Sequence, residues 1–148
     1  MYLMALVEKS VLVEYSAAQM YALVENVAAY PEFLPWCGGT EILRREGDIV
    51  RAAITIDFRG IKQRFSTENR AHPPQLIEMT LIDGPFRQLD GSWRFKALGD
   101  EACKIEFRLH YEFSSKLLER IFGPVFHYIA STFVEAFVKR ARQLYGNR

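Results

Sequence analysis

Three histidines, two cysteines and one run of uncharged polar side chains are the first places in this 148-residue chain to look for chemistry. His72 stands in a proline turn, His110 in an alternating apolar–polar segment and His127 in a helical one. None has another His or Cys at the spacing a metal site needs. Cys37 and Cys103 are far apart and carry no CxxC pattern, so they are expected as buried thiols in a reducing cytosol rather than as a disulfide. No GxSxG, P-loop or GxGxxG sequence is present. Gln63, Thr67 and Asn69 fall on the same strand face as Ile61 and Phe65. They could orient a ligand but are poor bases. His127 is the one candidate for a base in a pocket, against the alternative of a surface histidine.

Composition narrows the classes further. Hydrophobic residues make up 49% and charged residues 25%, which suits a single globular domain with a real core. Eleven Phe, seven Tyr and two Trp predict an aromatic-rich interior. A net charge of +1 gives no argument for nucleic acid from the whole-protein field, although local basic patches remain open. The N-terminal MYLMALVEKSVLVEY lacks the basic start and long apolar stretch of a signal peptide. No uninterrupted apolar run approaches the ~20 residues of a membrane span.

The elements that would position these residues follow from periodicity. Residues 4–13 read as a strand, and Ser16 with Gln19 has capping-box spacing ahead of Met20, Leu23, Val24 and Val27. The segment YPEFLPWCGG follows: Pro31 can start a helical turn, Pro35 ends it, and Gly38-Gly39 lets the chain bend into a strand. From Thr40 to Phe113 the period becomes two, with turns at Glu46-Gly47-Asp48, Arg59-Gly60, His72-Pro73-Pro74, Asp83-Gly84-Pro85 and Leu98-Gly99-Asp100. That is about six antiparallel strands with one buried and one wet face. Asp90-Gly91 suggests a bulge in one of them.

After Ser114-Ser115 the helical period returns and runs to about Tyr145, with Gly123-Pro124 expected to kink or split it. Phe126, Ile129, Phe133, Phe137, Ala141 and Leu144 form its apolar stripe, Lys139, Arg140 and Arg142 suit its C-terminal end, and Gly146 suits its cap. The stretch from Val125 spans roughly 31 Å at 1.5 Å per residue, enough to cross a curved sheet. The predicted class is α+β, a helix grip in which an antiparallel sheet wraps the C-terminal helix. A cavity between them would supply partners for Gln63, Thr67 and Asn69; otherwise these residues meet solvent near strand ends.

Three stretches carry a family resemblance: YPEFLPWC after the first helix, LIDGPFRQLDGSWRF across the second half of the sheet, and FGPVFHYIASTFVEAFVKRARQLYG in the terminal helix. Together they resemble the START-like coenzyme Q-binding proteins of the polyketide cyclase superfamily, and especially the bacterial branch of ribosome-association toxins. The resemblance covers essentially the whole chain. It implies a START/Bet v1-like fold with a hydrophobic tunnel, ubiquinone or another prenyl lipid as bound ligand, and support of respiratory electron transfer as a quinone carrier. No cofactor is implied as a requirement. For the toxin branch it implies binding to the large ribosomal subunit and a block on its association with the small one. The looser superfamily also contains polyketide cyclases, which keeps an enzyme as the weaker alternative.

By position in these motifs, Tyr30, Phe33, Leu34 and Trp36 would form a lid or wall of the tunnel, with Phe126, Phe133 and Phe137 opposite and Trp93 in the wall. Gln63 would face the ligand. The alternative for each aromatic is an ordinary place in the core. Candidates for ribosome contact are Lys62, Arg64 and Arg70 on one strand, Arg94 and Lys96 on another, and the Lys139-Arg140-Arg142 cluster. Interleaved Glu68, Glu106 and Glu112 make solvated faces the plainer reading. Expected partners are a prenyl lipid, the ribosomal subunit and, transiently, a membrane surface, in the cytoplasm; DNA is not among them.

Overall fold

Ser16 opens the first helix as its spacing predicts: the Gln19 amide donates to Ser16 Oγ at 3.0 Å and the Ser16 amide donates to Gln19 Oε1 at 2.9 Å. That reciprocal pair satisfies two donors that a helix start otherwise leaves open. The computed structural model describes residues 4–146, so the first three residues of the N-terminal segment lie outside the described part. Strand β1 (Ala5–Val13) leads into α1 (Ala17–Glu25) and a 3₁₀ turn (Val27–Glu32). Six strands follow: β2 (Cys37–Glu46), β3 (Ile49–Phe58), β4 (Ile61–His72), β5 (Leu76–Asp83), β6 (Phe86–Ala97) and β7 (Cys103–Phe113). The chain then forms α2 (Lys116–Tyr145).

The seven strands make one antiparallel sheet in the order β1-β7-β6-β5-β4-β3-β2. Strands β2 to β7 are a simple meander, and β1 closes against β7. The period-two pattern of β7 shows which face is buried: Cys103, Ile105, Phe107, Leu109, Tyr111 and Phe113 point inward and are all buried. Across that inner face lies α2, with Phe122, Phe126, Ile129, Ala130, Val134, Phe137 and Ala141 buried beneath it. At about 1.5 Å per residue its thirty residues run roughly 45 Å. Ser115 caps its start by accepting from the Leu118 amide at 3.1 Å. Its end is held by Gly146 at φ 88°, whose carbonyl accepts from Tyr15 Oη at 2.6 Å. This is the helix grip.

Four local expectations change. Pro31 sits inside the 3₁₀ turn, which begins at Val27, so the proline prolongs the turn rather than starting it. Gly38-Gly39 lies within β2, where the pairing slips between Cys37 and Gly39; the glycines make a bulge in the strand, not a bend before it. Asp90 and Gly91 pair in register with His110 and Leu109, and the irregularity of β6 falls between Phe86 and Gln88 instead. Gly123-Pro124 does not split α2. Pro124 is exposed there, so the carbonyl its missing N–H leaves open can meet water. Leu144 also departs from the predicted stripe, being 51% exposed.

One window of α2 is, by length and composition, apolar enough to cross a membrane, beyond what the uninterrupted runs of the sequence suggest. Here it is seated on the sheet, with 33% of the window buried.

Gly91 is required by closeness rather than by a turn. A Cβ there would lie 2.7 Å from the Arg108 carbonyl oxygen and 2.9 Å from Leu109 Cδ1. Gly91→Ala should therefore cost about 1–3 kcal/mol, the usual size of core overpacking. Urea unfolding should show a lower midpoint with an unchanged slope.

Candidate functional site

The inner face of the sheet and the inward stripe of α2 do not close completely. Phe126 and Phe133 flank Ala130 on the same side of the helix, at i−4 and i+3, and the short Ala130 side chain leaves a gap between the two rings. Opposite lie Ile54, Ile56, Phe65, Thr67 and Asn69 of β3 and β4, with Met79, Leu89, Phe107 and Leu109 from the following strands. Tyr30 and Trp36, from the proline-rich connection, close one end. The cavity has a volume of about 70 Å³. That holds a few waters, but it is well short of the ~300–1,000 Å³ of a typical ligand pocket. Any ring-sized guest requires the walls to part.

The β3–β4 hairpin reaches α2 beside this cavity. The Phe58 ring stacks on Tyr128, with centroids 5.9 Å apart and planes 5° from parallel. The Arg59 guanidinium lies 4.8 Å from the Phe58 centroid and 5.5 Å from that of Tyr128. Arg59 holds a φ of 52°, an uncommon value for a residue with a Cβ, as part of the tight turn with Gly60. The hairpin is thus clasped to the helix by stacking and cation–π contact.

Of the nine residues expected to meet a ligand, the structure brings Tyr30, Trp36, Phe126 and Phe133 to the cavity wall. The other five lie outside that wall. Leu34, Trp93 and Phe137 are buried in the core: Trp93 is 5.2 Å from Phe137, 4.6 Å from Phe107 and parallel to Phe95. Phe33 stands on the outer side of Tyr30, edge-on to Phe137, beneath the Arg140 guanidinium. Gln63 is half-buried, across from Ile56 and nearer the hairpin turn. Val27, Ile54, Ile56, Met79, Leu89, Phe107, Leu109 and Ala130 are also in the wall without having been singled out as site residues. Only Ala130, a small residue between two phenylalanines of the stripe, carried a signal.

Polarity in the wall is concentrated at one point. Tyr30 Oη donates to the Val24 carbonyl at 2.5 Å and is thereby occupied, and burial pushes its phenol well above the ordinary range. Thr67, 6% exposed, donates its hydroxyl to Asn69 Oδ1 at 2.9 Å. The two residues lie in the wall as the sequence reading required of a pocket. Among the described residues, no charged side chain lines the cavity. His127 is outside it as well: it is exposed, with Nδ1 3.3 Å from Tyr111 Oη. That leaves no base in the wall and removes the reason to keep His127 as one. Among the described residues, no group of three His, Cys, Asp or Glu is placed to hold a metal.

Half of the eight candidate cations are committed to acids. Arg64 pairs with Glu41 at 3.6 Å, Arg70 with Glu68 at 4.0 Å and Lys96 with Glu106 at 3.4 Å. Arg140 pairs with Glu32 at 3.3 Å while covering Phe33, so it belongs to the packing of the proline-rich connection against α2. Lys62, Arg94, Lys139 and Arg142 form no ion pair among the described residues.

The family model for polyketide cyclase / dehydrase and lipid transport matches residues 13–138. The chain belongs to this family. Within it, the ribosome association toxin RatA of Vibrio cholerae is 46% identical over 140 residues, covering 95% of this chain and 97% of that protein. The mitochondrial coenzyme Q-binding protein COQ10 homolog B of Xenopus laevis is 28% identical over 138 residues, covering 90% of this chain and 57% of that protein. Among solved structures, the ZhuI aromatase/cyclase of Streptomyces sp. R1128 superposes with a TM-score of 0.81 over 95% of this chain and 96% of that one. At 16% identity it shows the shared fold alone. For this polyketide cyclase and lipid transport family member, the α+β helix grip is therefore both observed directly and shared with relatives of very different sequence.

Both cysteines are free and buried, as the sequence reading required. Desolvation pushes the Cys103 thiol from its ordinary 9 up to about 11. It raises Cys37 as well, against a smaller lowering by a backbone hydrogen bond at Gly39. A raised thiol favours the protonated folded form, so this contribution is complete below pH 9 and is lost as pH climbs through the folded value. Both thiols should react slowly with an aromatic disulfide reagent at pH 8 and promptly once the chain is unfolded. Stability measured by urea should fall between pH 9 and 11, and the fall should be shallower in Cys103→Ala.

Proposed function

We propose that this chain is a ribosome-association protein of the RatA type, which binds the large ribosomal subunit and so prevents its joining with the small one. The observation that carries this reading is the 46% identity to RatA of Vibrio cholerae across nearly the full length of both chains. The site geometry is consistent with a role that needs no catalysis. The cavity wall holds neither a base nor a charged group, and blocking a subunit interface is a steric act that requires only a complementary surface. Of the candidate cations, Lys62, Arg94, Lys139 and Arg142 are the ones without an ion pair among the described residues, and phosphate contacts from them would weaken as salt rises. Overproduction should increase free subunits at the expense of intact ribosomes in a sucrose gradient, with the protein in the large-subunit fraction. Unchanged profiles, with the protein remaining at the top of the gradient, would overturn the reading.

A second reading is favoured by the cavity itself: binding of ubiquinone or a related prenyl lipid under α2. It draws on the apolar wall and on the 28% identity to the coenzyme Q-binding relative. An isoprenoid tail gains about 25 cal/mol for each Å² of apolar surface hidden from water, so a wall of Phe and Ile would hold it without chemistry. The two roles are compatible, because one uses the outer surface and the other the interior. Protein purified from quinone-producing cells should release ubiquinone on solvent extraction, read by mass spectrometry. No lipid in the extract and no uptake of added quinone would remove this reading.

A further inference from the structure

The polar spot in the cavity wall has a direction. Thr67 is deeply buried and its hydroxyl is spent on Asn69 Oδ1, at 2.9 Å. With that oxygen occupied, the other end of the same amide, Nδ2, has no hydrogen-bond partner among the described residues. Thr67 therefore acts as a positioning residue that fixes the Asn69 amide with its N–H donors free. The remaining side chains offer no competing donor: Tyr30 gives its hydroxyl to Val24, and apart from the Trp36 indole and the Met79 thioether the rest of the described wall is hydrocarbon. Asn69 is half-buried, so its Nδ2 is not sealed within the wall and stays open to an incoming acceptor.

Resting on the lipid-binding reading, we propose that the Asn69 amide is the polar anchor of the cavity, donating to the carbonyl oxygen of a neutral, otherwise apolar ligand. A donor with no accompanying positive charge selects an acceptor that is itself uncharged. Taking a carboxylate or phosphate into this wall would leave a buried charge without a partner, which is far more costly than an unmet hydrogen bond. Fatty acids and phospholipid headgroups are thus disfavoured inside, and a quinone or ketone is favoured. The cavity must widen to admit such a ring. The clasp of Phe58 and Arg59 on Tyr128, the contact between the β3–β4 hairpin and the helix, stands beside it.

The test is calorimetric titration of the full chain with three probes: a decyl-tailed benzoquinone, decylbenzene and decanoate. Wild type should bind the quinone more tightly than decanoate. Asn69→Leu, which keeps the volume and removes the donor, should lose about tenfold for the quinone, the size of one neutral hydrogen bond, and nothing for decylbenzene. Thr67→Val, which frees Asn69 Oδ1 but leaves the donor in place, should show a smaller loss with the same selectivity, and it serves if Asn69→Leu fails to fold. Equal quinone affinity in wild type and both variants would overturn the anchor while leaving lipid binding intact. So would decanoate binding wild type as tightly as the quinone. Binding of none of the three probes by wild type would instead remove the lipid-binding reading, and the anchor with it.

Discussion

The edge-on contact between Phe137 and Trp93, with ring centroids 5.2 Å apart, joins the C-terminal helix to the middle of the sheet. Neither side chain is accessible to solvent, and each is surrounded by further rings: Phe95 and Phe107 around Trp93, Tyr30, Phe33 and Phe133 around Phe137. Each such pair adds about 0.5–1.5 kcal/mol beyond the area it buries. A curved sheet with one dry face cannot persist without a cover, and α2 is the element that crosses it. The proline-rich connection is drawn into the same cluster through Tyr30 and Phe33. The 3₁₀ turn, the helix and the sheet centre are therefore parts of one aromatic assembly.

The cavity is the place where this assembly is incomplete. Two turns up the helix from Phe137, Ala130 replaces the bulk of its neighbours, and the rings of Phe126 and Phe133 stand apart over the inner face of the sheet. Close packing makes such a gap expensive unless something fills it. Its wall is mostly apolar with a single uncharged polar pair, and the same fold serves an aromatase/cyclase. Fold alone does not fix activity, as many widely used architectures show. The outer surface is a separate matter. There Arg51 and Lys96 pair with acids on neighbouring strands, and Arg64 reaches Glu41 two strands away.

What could be read from the sequence was whatever is encoded locally. The Ser16–Gln19 capping box, all five strand turns, the alternation of β7 and the run of α2 each depend on residues within a few positions of one another, and each stands where the pattern placed it. Steric and hydrogen-bonding rules of this range are complete in the sequence. The aromatic-rich stretches identified the family for the same reason: their spacing is a local record of a shared packing scheme. Gly91 misled because a glycine required by close approach looks, in one dimension, like a glycine required by a bulge.

Tertiary structure decided the rest. Whether an inward aromatic borders empty space or another ring depends on the residue opposite it, which comes from a distant part of the chain. Thus Phe133 lines the cavity and Phe137, one turn on, does not. Arg140 looked like one of three free cations until folding placed Glu32, 108 residues away, at 3.3 Å. The YPEFLPWCGG segment shows both halves together. Its prolines and rings foretold a rigid apolar connection, but only packing against α2 sends Tyr30 and Trp36 to the cavity and Phe33 to the surface groove beneath Arg140. Periodicity assigns a side chain to a face; which neighbour it meets on that face is settled by long-range packing.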